Sequence, residues 1–155
     1  MNLNCVIIDD EPLAQELLKS YIEKTPILNL IGVYSNPLLA MKDLVGKGTI
    51  HLMFLDIQMP GLNGLEYSKL VDSQTRIVFT TAFSQYAVDS YKVNALDYLL
   101  KPISYTDFMQ SVNKAVKWFE MLEKCKHPSE SLSTDPEYIY VKSDYKLVQI
   151  PLNQI

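Results

Sequence analysis

Cysteine is scarce in this chain of 155 residues: Cys5 stands in the first apolar run and Cys125 in a lysine-rich stretch far away. Neither a CxxC pair nor a disulfide framework is available, which predicts a reducing compartment. Histidine is equally sparse. His51 opens an apolar run, His127 lies in a polar stretch, and neither has Cys or His neighbours at zinc spacing, so no transition-metal site is expected. Arg76 is the one arginine among 14 lysines and arginines, and the net charge is −4. That leaves no broad phosphate-binding surface and argues against nucleic-acid binding by this chain alone. The ten tyrosines do not alter this, because no basic stripe is interleaved with them. The opening MNLNCVIIDD has no cationic leader, and no apolar run reaches about 18 residues, so export and membrane spanning are not expected. The chain reads as soluble and cytoplasmic.

What is present is enough apolar material for a substantial core, 48% of the residues. Apolar runs alternate with amphipathic segments in the manner of βα units. Residues 5–8 form the first strand pattern. Ala14, Leu17, Leu18, Tyr21 and Ile22 then recur at helical spacing after Pro12, which suits a first helical turn. Strand patterns follow at 28–34, 52–55, 77–81 and 98–100, with a short helix over 37–45 closed by Gly46 and Gly48. The run LMFL is apolar on both faces, which favours a parallel sheet covered by helices on both sides. A further helix is predicted over 85–91, with Asn94 as its left-handed terminator. From Tyr105 to Leu122 the 3.6-residue period is the clearest in the chain, with Ser104 as candidate cap before Asp107.

Charged side chains sit just past these runs: Asp9 and Asp10 after CVII, Asp56 after HLMFL, Lys101 after DYLL. Parallel strands would bring them to one edge of the sheet, where open α/β sheets place their ligands. Carboxylates so placed repel one another unless a hard cation lies between them. Mg²⁺ suits such an oxygen-only cluster, and the nearby lysine suggests a phosphoryl group. Gly61 and Gly64 read as turn and helix-approach glycines that let the loop after Asp56 fold back.

After Cys125 the character changes. HPSESLSTDP carries two prolines and four hydroxyl residues and reads as a linker. The closing EYIYVKSDYKLVQI alternates apolar and polar residues around Ser143-Asp144, a hairpin signal. A lone hairpin is marginal in water. The expected organisation is therefore a globular domain over 1–125, a linker over 126–136, and over 137–155 the start of a second domain cut short.

The runs IIDDEP, FLDIQMPGLNG, VFTTAF and ALDYLLKP, in that order and each at a strand end, resemble the receiver domain of two-component response regulators. The tail resembles the opening of a LytTR-type DNA-binding domain. The receiver resemblance implies a doubly wound, flavodoxin-like (βα)5 fold with a five-stranded parallel sheet in the order 2-1-3-4-5. It also implies that Asp56 accepts a phosphoryl group from a sensor histidine kinase and that Asp9, Asp10, Asp56 and the carbonyl of Gln58 hold Mg²⁺. On this pattern Asp10 coordinates directly and Asp9 acts through water, while Glu11 reads as a surface residue that compensates the helix dipole. Thr81, rather than Thr80, is the hydroxyl that moves to a phosphoryl oxygen. Lys101 bonds the phosphoryl group, Pro102 follows a cis peptide bond, and Tyr98 is the aromatic switch. The family pairs receivers through the surface of helix 4 (here 85–91), strand 5 and helix 5, the last helix. A phosphorylation-favoured homodimer is thus expected, with DNA bound only by the full-length output domain and transcription as the output.

Three other readings compete. A stand-alone receiver could act through protein–protein contacts. A haloacid-dehalogenase-type Mg²⁺-dependent phosphatase also uses an aspartyl phosphate, with its nucleophile after the first strand answered two residues later by a second acid; here the first strand ends IIDDEP, and position 11 is a glutamate followed by Pro12. A flavodoxin-like cofactor binder needs a hydroxyl- and glycine-rich phosphate loop where this chain has the acidic DDEPLAQ. No enzymatic activity is expected beyond the domain's own phosphorylation and dephosphorylation.

Overall fold

The computed structural model describes residues 2–61, 63–83 and 95–126. By internal contacts the chain divides into one compact unit over residues 1–115 and a second over 116–155. The predicted helix over 85–91, the terminator Asn94, and the linker and hairpin residues from 127 onward lie outside the described residues.

Among the described residues the elements are, in chain order, β1 (Leu3–Ile8), α1 (Pro12–Glu23), β2 (Leu28–Tyr34), α2 (Pro37–Asp43), β3 (Leu52–Asp56), α3 (Gly64–Ser68), β4 (Arg76–Thr81), β5 (Asp97–Leu100) and α4 (Tyr105–Lys126). The sheet is parallel throughout, in the order β2-β1-β3-β4-β5, as the resemblance implies. Every residue of β3 and β4 is buried, and so are all residues of β1 except Asn4. Strands of this kind are apolar on both faces because helices cover both.

Alternation along the strands builds two apolar layers. One contains Val6, Ile8, Met53, Leu55 and Phe79 with Ala40 of α2 and Tyr67 of α3. On the other face Phe54 stacks on Phe108 of α4 at 5.4 Å, and Phe108 meets Tyr21 of α1 at 5.3 Å. Tyr21 also donates its hydroxyl to the Ile103 carbonyl at 2.9 Å, which ties α1 to the chain just ahead of α4.

Local chemistry accounts for most helix ends. Pro12 opens α1, where its missing N–H costs nothing. Asn36 caps α2 by accepting from the Leu39 amide at 2.9 Å. Ser104 caps α4 by accepting from the Asp107 amide at 3.1 Å. Helix α2 ends at Asp43, two residues before the predicted Val45, and both Gly46 and Gly48 behind it take positive φ. Helix α3 is absent from the sequence reading. Its five residues are too few to display a helical period, and it depends on the Asn63 side chain, which accepts from the Leu65 amide at 2.6 Å.

Two glycines let this segment return to the sheet. Gly61 has φ +85°, a turn conformation that L side chains rarely adopt. Gly64 donates its amide to the Ile57 carbonyl at 2.9 Å, and a Cβ there would lie 2.1 Å from the Asp56 carbonyl oxygen. Among the described residues no helix is long and apolar enough to cross a membrane.

Candidate functional site at the carboxyl edge of the sheet

The parallel sheet delivers its strand-end residues to one edge. Asp9 follows β1, Asp56 ends β3, and Lys101 follows β5. Lys101 Nζ lies 2.9 Å from Asp9 Oδ2 and 3.5 Å from Asp56 Oδ2, and it donates a hydrogen bond to Glu11 Oε1. Asp9 and Asp56 are buried, whereas the Glu11 side chain is 60% exposed.

Each group is also held from behind. Asp9 Oδ1 accepts from the Glu11 amide at 2.9 Å, the Asp9 amide donates to the Tyr34 carbonyl, and Gln15 donates to the Asp9 carbonyl. Asp56 Oδ1 accepts from the Gln58 amide at 3.3 Å. The Lys101 amide donates to the Thr81 carbonyl at 2.7 Å, and the Lys101–Pro102 peptide is cis, the isomer the resemblance implies.

The electrostatics follow from this packing. Burial and the neighbouring Asp9 carboxylate push the Asp56 carboxyl up to about 7, against the pull of Lys101 and the Gln58 amide. Burial alone would lower Lys101, but Glu11, Asp9 and Asp56 outweigh it and shift the ammonium well above its usual value.

Carboxylate oxygens of Asp9, Glu11 and Asp56 all lie within 4.8 Å of one another. Asp9 Oδ2 is buried and has the Lys101 ammonium facing it at 2.9 Å. Three carboxylates against one ammonium leave a surplus of negative charge and of hard oxygen donors. That set fits a hard divalent cation such as Mg²⁺. Its membership differs from the sequence expectation: Glu11, read there as a surface residue, is in the group, and Asp10 is not. Asp10 is half-buried and still adds its charge to the field at Asp56. The run of three acids ahead of Pro12 is visible in the sequence, but which of their side chains turns to Asp56 is a matter of direction that the run does not record.

The other predicted residues surround this centre. Gln58 is exposed, with its amide turned to Asp56. Thr81 is buried, and its hydroxyl oxygen accepts from the Phe83 amide at 3.1 Å. Thr80 pairs with Asp56 in the sheet, is fully buried, and its hydroxyl has no hydrogen bond. Tyr98 is half-buried against the apolar layer that contains Phe79, and its hydroxyl donates to the Phe83 carbonyl.

Comparison with known proteins agrees with this architecture. The chain is 40% identical over 108 residues to the transcriptional regulatory protein BtsR of Escherichia coli K12, covering 65% of this chain and 43% of that protein. It is 31% identical over 157 residues to an uncharacterised response regulatory protein of Vibrio cholerae, covering 99% of this chain and 63% of that one. It thus spans about half the length of the curated relatives it matches. Among solved structures, the response regulatory domain of mrkE from Klebsiella pneumoniae superposes with a TM-score of 0.70 at 28% identity, covering 77% of this chain and 99% of that one. Residues 5–113 match the response regulator receiver domain family. Receiver domains are signalling modules, not enzymes of metabolism, and they bind Mg²⁺ in an acidic pocket of the kind that Asp9, Glu11 and Asp56 form here. The strand order, the strand-end charges and the match over 5–113 together identify this chain as a member of the response regulator receiver domain family.

Proposed function

We propose that this receiver is a phosphorylation switch in which Asp56 accepts a phosphoryl group from a sensor histidine kinase. The observation that carries the reading is the gathering of Asp56, Asp9 and Glu11 around Lys101 at one sheet edge. An Asp56 carboxylate oxygen attacks the phosphorus of a phosphohistidine, or of a small acyl or amido phosphate. The bond from phosphorus to the donor breaks, the donor keeps that electron pair, and an aspartyl phosphate remains. Lys101 turns from Glu11 to the transferring oxygens and balances part of their charge. Asp9, Asp10, Asp56 and the Gln58 carbonyl would hold Mg²⁺, with Glu11 as a further carboxylate in reach. When bound, the ion would neutralise phosphoryl charge.

The Thr81 hydroxyl then leaves the Phe83 amide for a phosphoryl oxygen. Tyr98, hydrogen-bonded to the Phe83 carbonyl, answers the same movement. Pairing of two receivers through residues 85–91, β5 and the last helix follows in this reading. It would bring two output domains together on adjacent DNA sites. A receiver over 1–125, a linker over 126–136 and the start of a LytTR-type domain over 137–155 remain the proposed organisation. It is supported by the tail's alternating pattern and by the relative that aligns over 99% of the chain. Transcriptional control in the cytoplasm is the proposed output.

The test is intact mass after incubation with acetyl phosphate and Mg²⁺, with an EDTA control. A single phosphoryl adduct is expected on the wild type and none on Asp56→Asn. An adduct that persists in Asp56→Asn, or none on the wild type, refutes the assignment.

A further inference from the structure

Adjacent residues of β5 reach opposite faces of the sheet. Tyr98 lies against the layer that includes Phe79 and Tyr67, and its hydroxyl meets the Phe83 carbonyl. Asp97, one residue earlier, turns to α4. Its Oδ2 accepts from the Ser111 hydroxyl at 2.5 Å, and its Oδ1 lies 3.1 Å from Lys114 Nζ. The same Oδ1 accepts from the Tyr98 amide at 2.8 Å. One carboxylate therefore holds both the backbone of Tyr98 and the first half of α4.

The surroundings make this contact selective. Ser111 is fully buried, as are Val112 and Ala115 after it on the same helix, and its hydroxyl is satisfied by Asp97. The β5 backbone is pinned on both sides, by the Leu96 amide on the Ile77 carbonyl at 2.8 Å and the Lys101 amide on the Thr81 carbonyl. The residues between them, Asp97 to Leu100, pair with β4 along their whole length, so a change at Tyr98 is taken up chiefly by its side chain and by small shifts of its amide. The peptide that joins Asp97 to Tyr98 is the one whose N–H the carboxylate holds.

We infer that Asp97 is a positioning residue that couples the setting of Tyr98 to the placement of α4 through Ser111, with Lys114 anchoring the carboxylate from the surface. A small displacement of the Tyr98 amide against Asp97 Oδ1 changes what the carboxylate offers to Ser111, and α4 shifts with it. The inference rests on the proposed switch role of Tyr98 and adds the route by which the last helix responds. It uses a bond within one chain, between β5 and residues 111–114 of α4.

Trp118 is the only tryptophan of the chain and lies about two turns beyond Ser111 on the same helix, so its fluorescence reads the helix directly. The experiment compares wild type, Ser111→Ala, Ser111→Thr and Asp97→Asn, each phosphorylated with acetyl phosphate and Mg²⁺ and checked by intact mass. Equal phosphoryl adducts are expected throughout. The change in Trp118 emission on phosphorylation should fall by at least half in Ser111→Ala and Asp97→Asn and return in Ser111→Thr. The Tyr98 amide resonance of the unphosphorylated protein should also move in Ser111→Ala, although residue 111 is remote in sequence. A full Trp118 response in Ser111→Ala with an unmoved Tyr98 amide overturns the inference, as does a phosphorylated wild type with no Trp118 change. Absence of the adduct on the wild type is a failure of the Asp56 assignment instead, and the coupling then stands or falls on the Tyr98 amide alone.

Discussion

Asp56 shows how a residue's position, more than its type, sets its chemistry. In the unfolded chain its carboxyl ionises near 3.8, whereas burial and Asp9 raise it to about 7 in the fold. Below 3.8 the group is protonated in both states, and its contribution to stability is fully present. Between 3.8 and 7 the folded state binds more protons, so stability falls as pH rises, and the contribution is lost above 7. Metal-free wild type should therefore lose stability relative to Asp56→Asn across that window, as read from urea midpoints at a series of pH values. Mg²⁺ should flatten the difference, because a bound cation favours the ionised carboxylate. Parallel midpoints for the two proteins from low to neutral pH would contradict the raised carboxyl.

At the scale of elements, legibility tracked length and periodicity. The five strands were recognisable as apolar runs, and each appears within two residues of its expected start. Helix α4 was the clearest because its period persists, while α3 escaped because five residues held by Asn63 and Gly64 leave no pattern to count. The cap and the core contact of α4 carry different weights, which stability measurements can separate. Ser104→Ala removes one hydrogen bond at a solvated end and should cost about 1 kcal/mol. Phe108→Ala empties the space between Phe54 and Tyr21 and should cost about 3–5 kcal/mol. Equal losses in thermal or urea unfolding would mean that α4 is not held to the sheet chiefly through Phe108.

For the whole molecule, the proposed consequence of phosphorylation is pairing. Sedimentation with Mg²⁺ and a beryllofluoride mimic of the phosphoryl group should shift wild type from monomer toward dimer and leave Asp56→Asn unchanged. The same monomer under both conditions would count against pairing through residues 85–91, β5 and α4. Asp97 and Ser111 belong to this scale as well, since the contact that would link the site to that surface joins residues of two elements, 14 apart in sequence.

The amino-acid sequence by itself determined the class of fold and the identity of the strand-end residues. Burial on both faces demands continuous apolar runs, and a ligand at the sheet edge demands polar residues right after them. The order IIDDEP, FLD, VFTT and DYLLKP thus announces where Asp9, Asp56, Thr81 and Lys101 fall. Tertiary structure alone decided which carboxylates meet. Glu11 joins Asp9 and Asp56 within 4.8 Å while Asp10, its neighbour, is not in that group. It also decided that Lys101, already expected at this edge, donates to Glu11, 90 residues earlier. Such choices depend on the direction of each side chain in three dimensions, and a one-dimensional pattern records only where the backbone crosses the sheet.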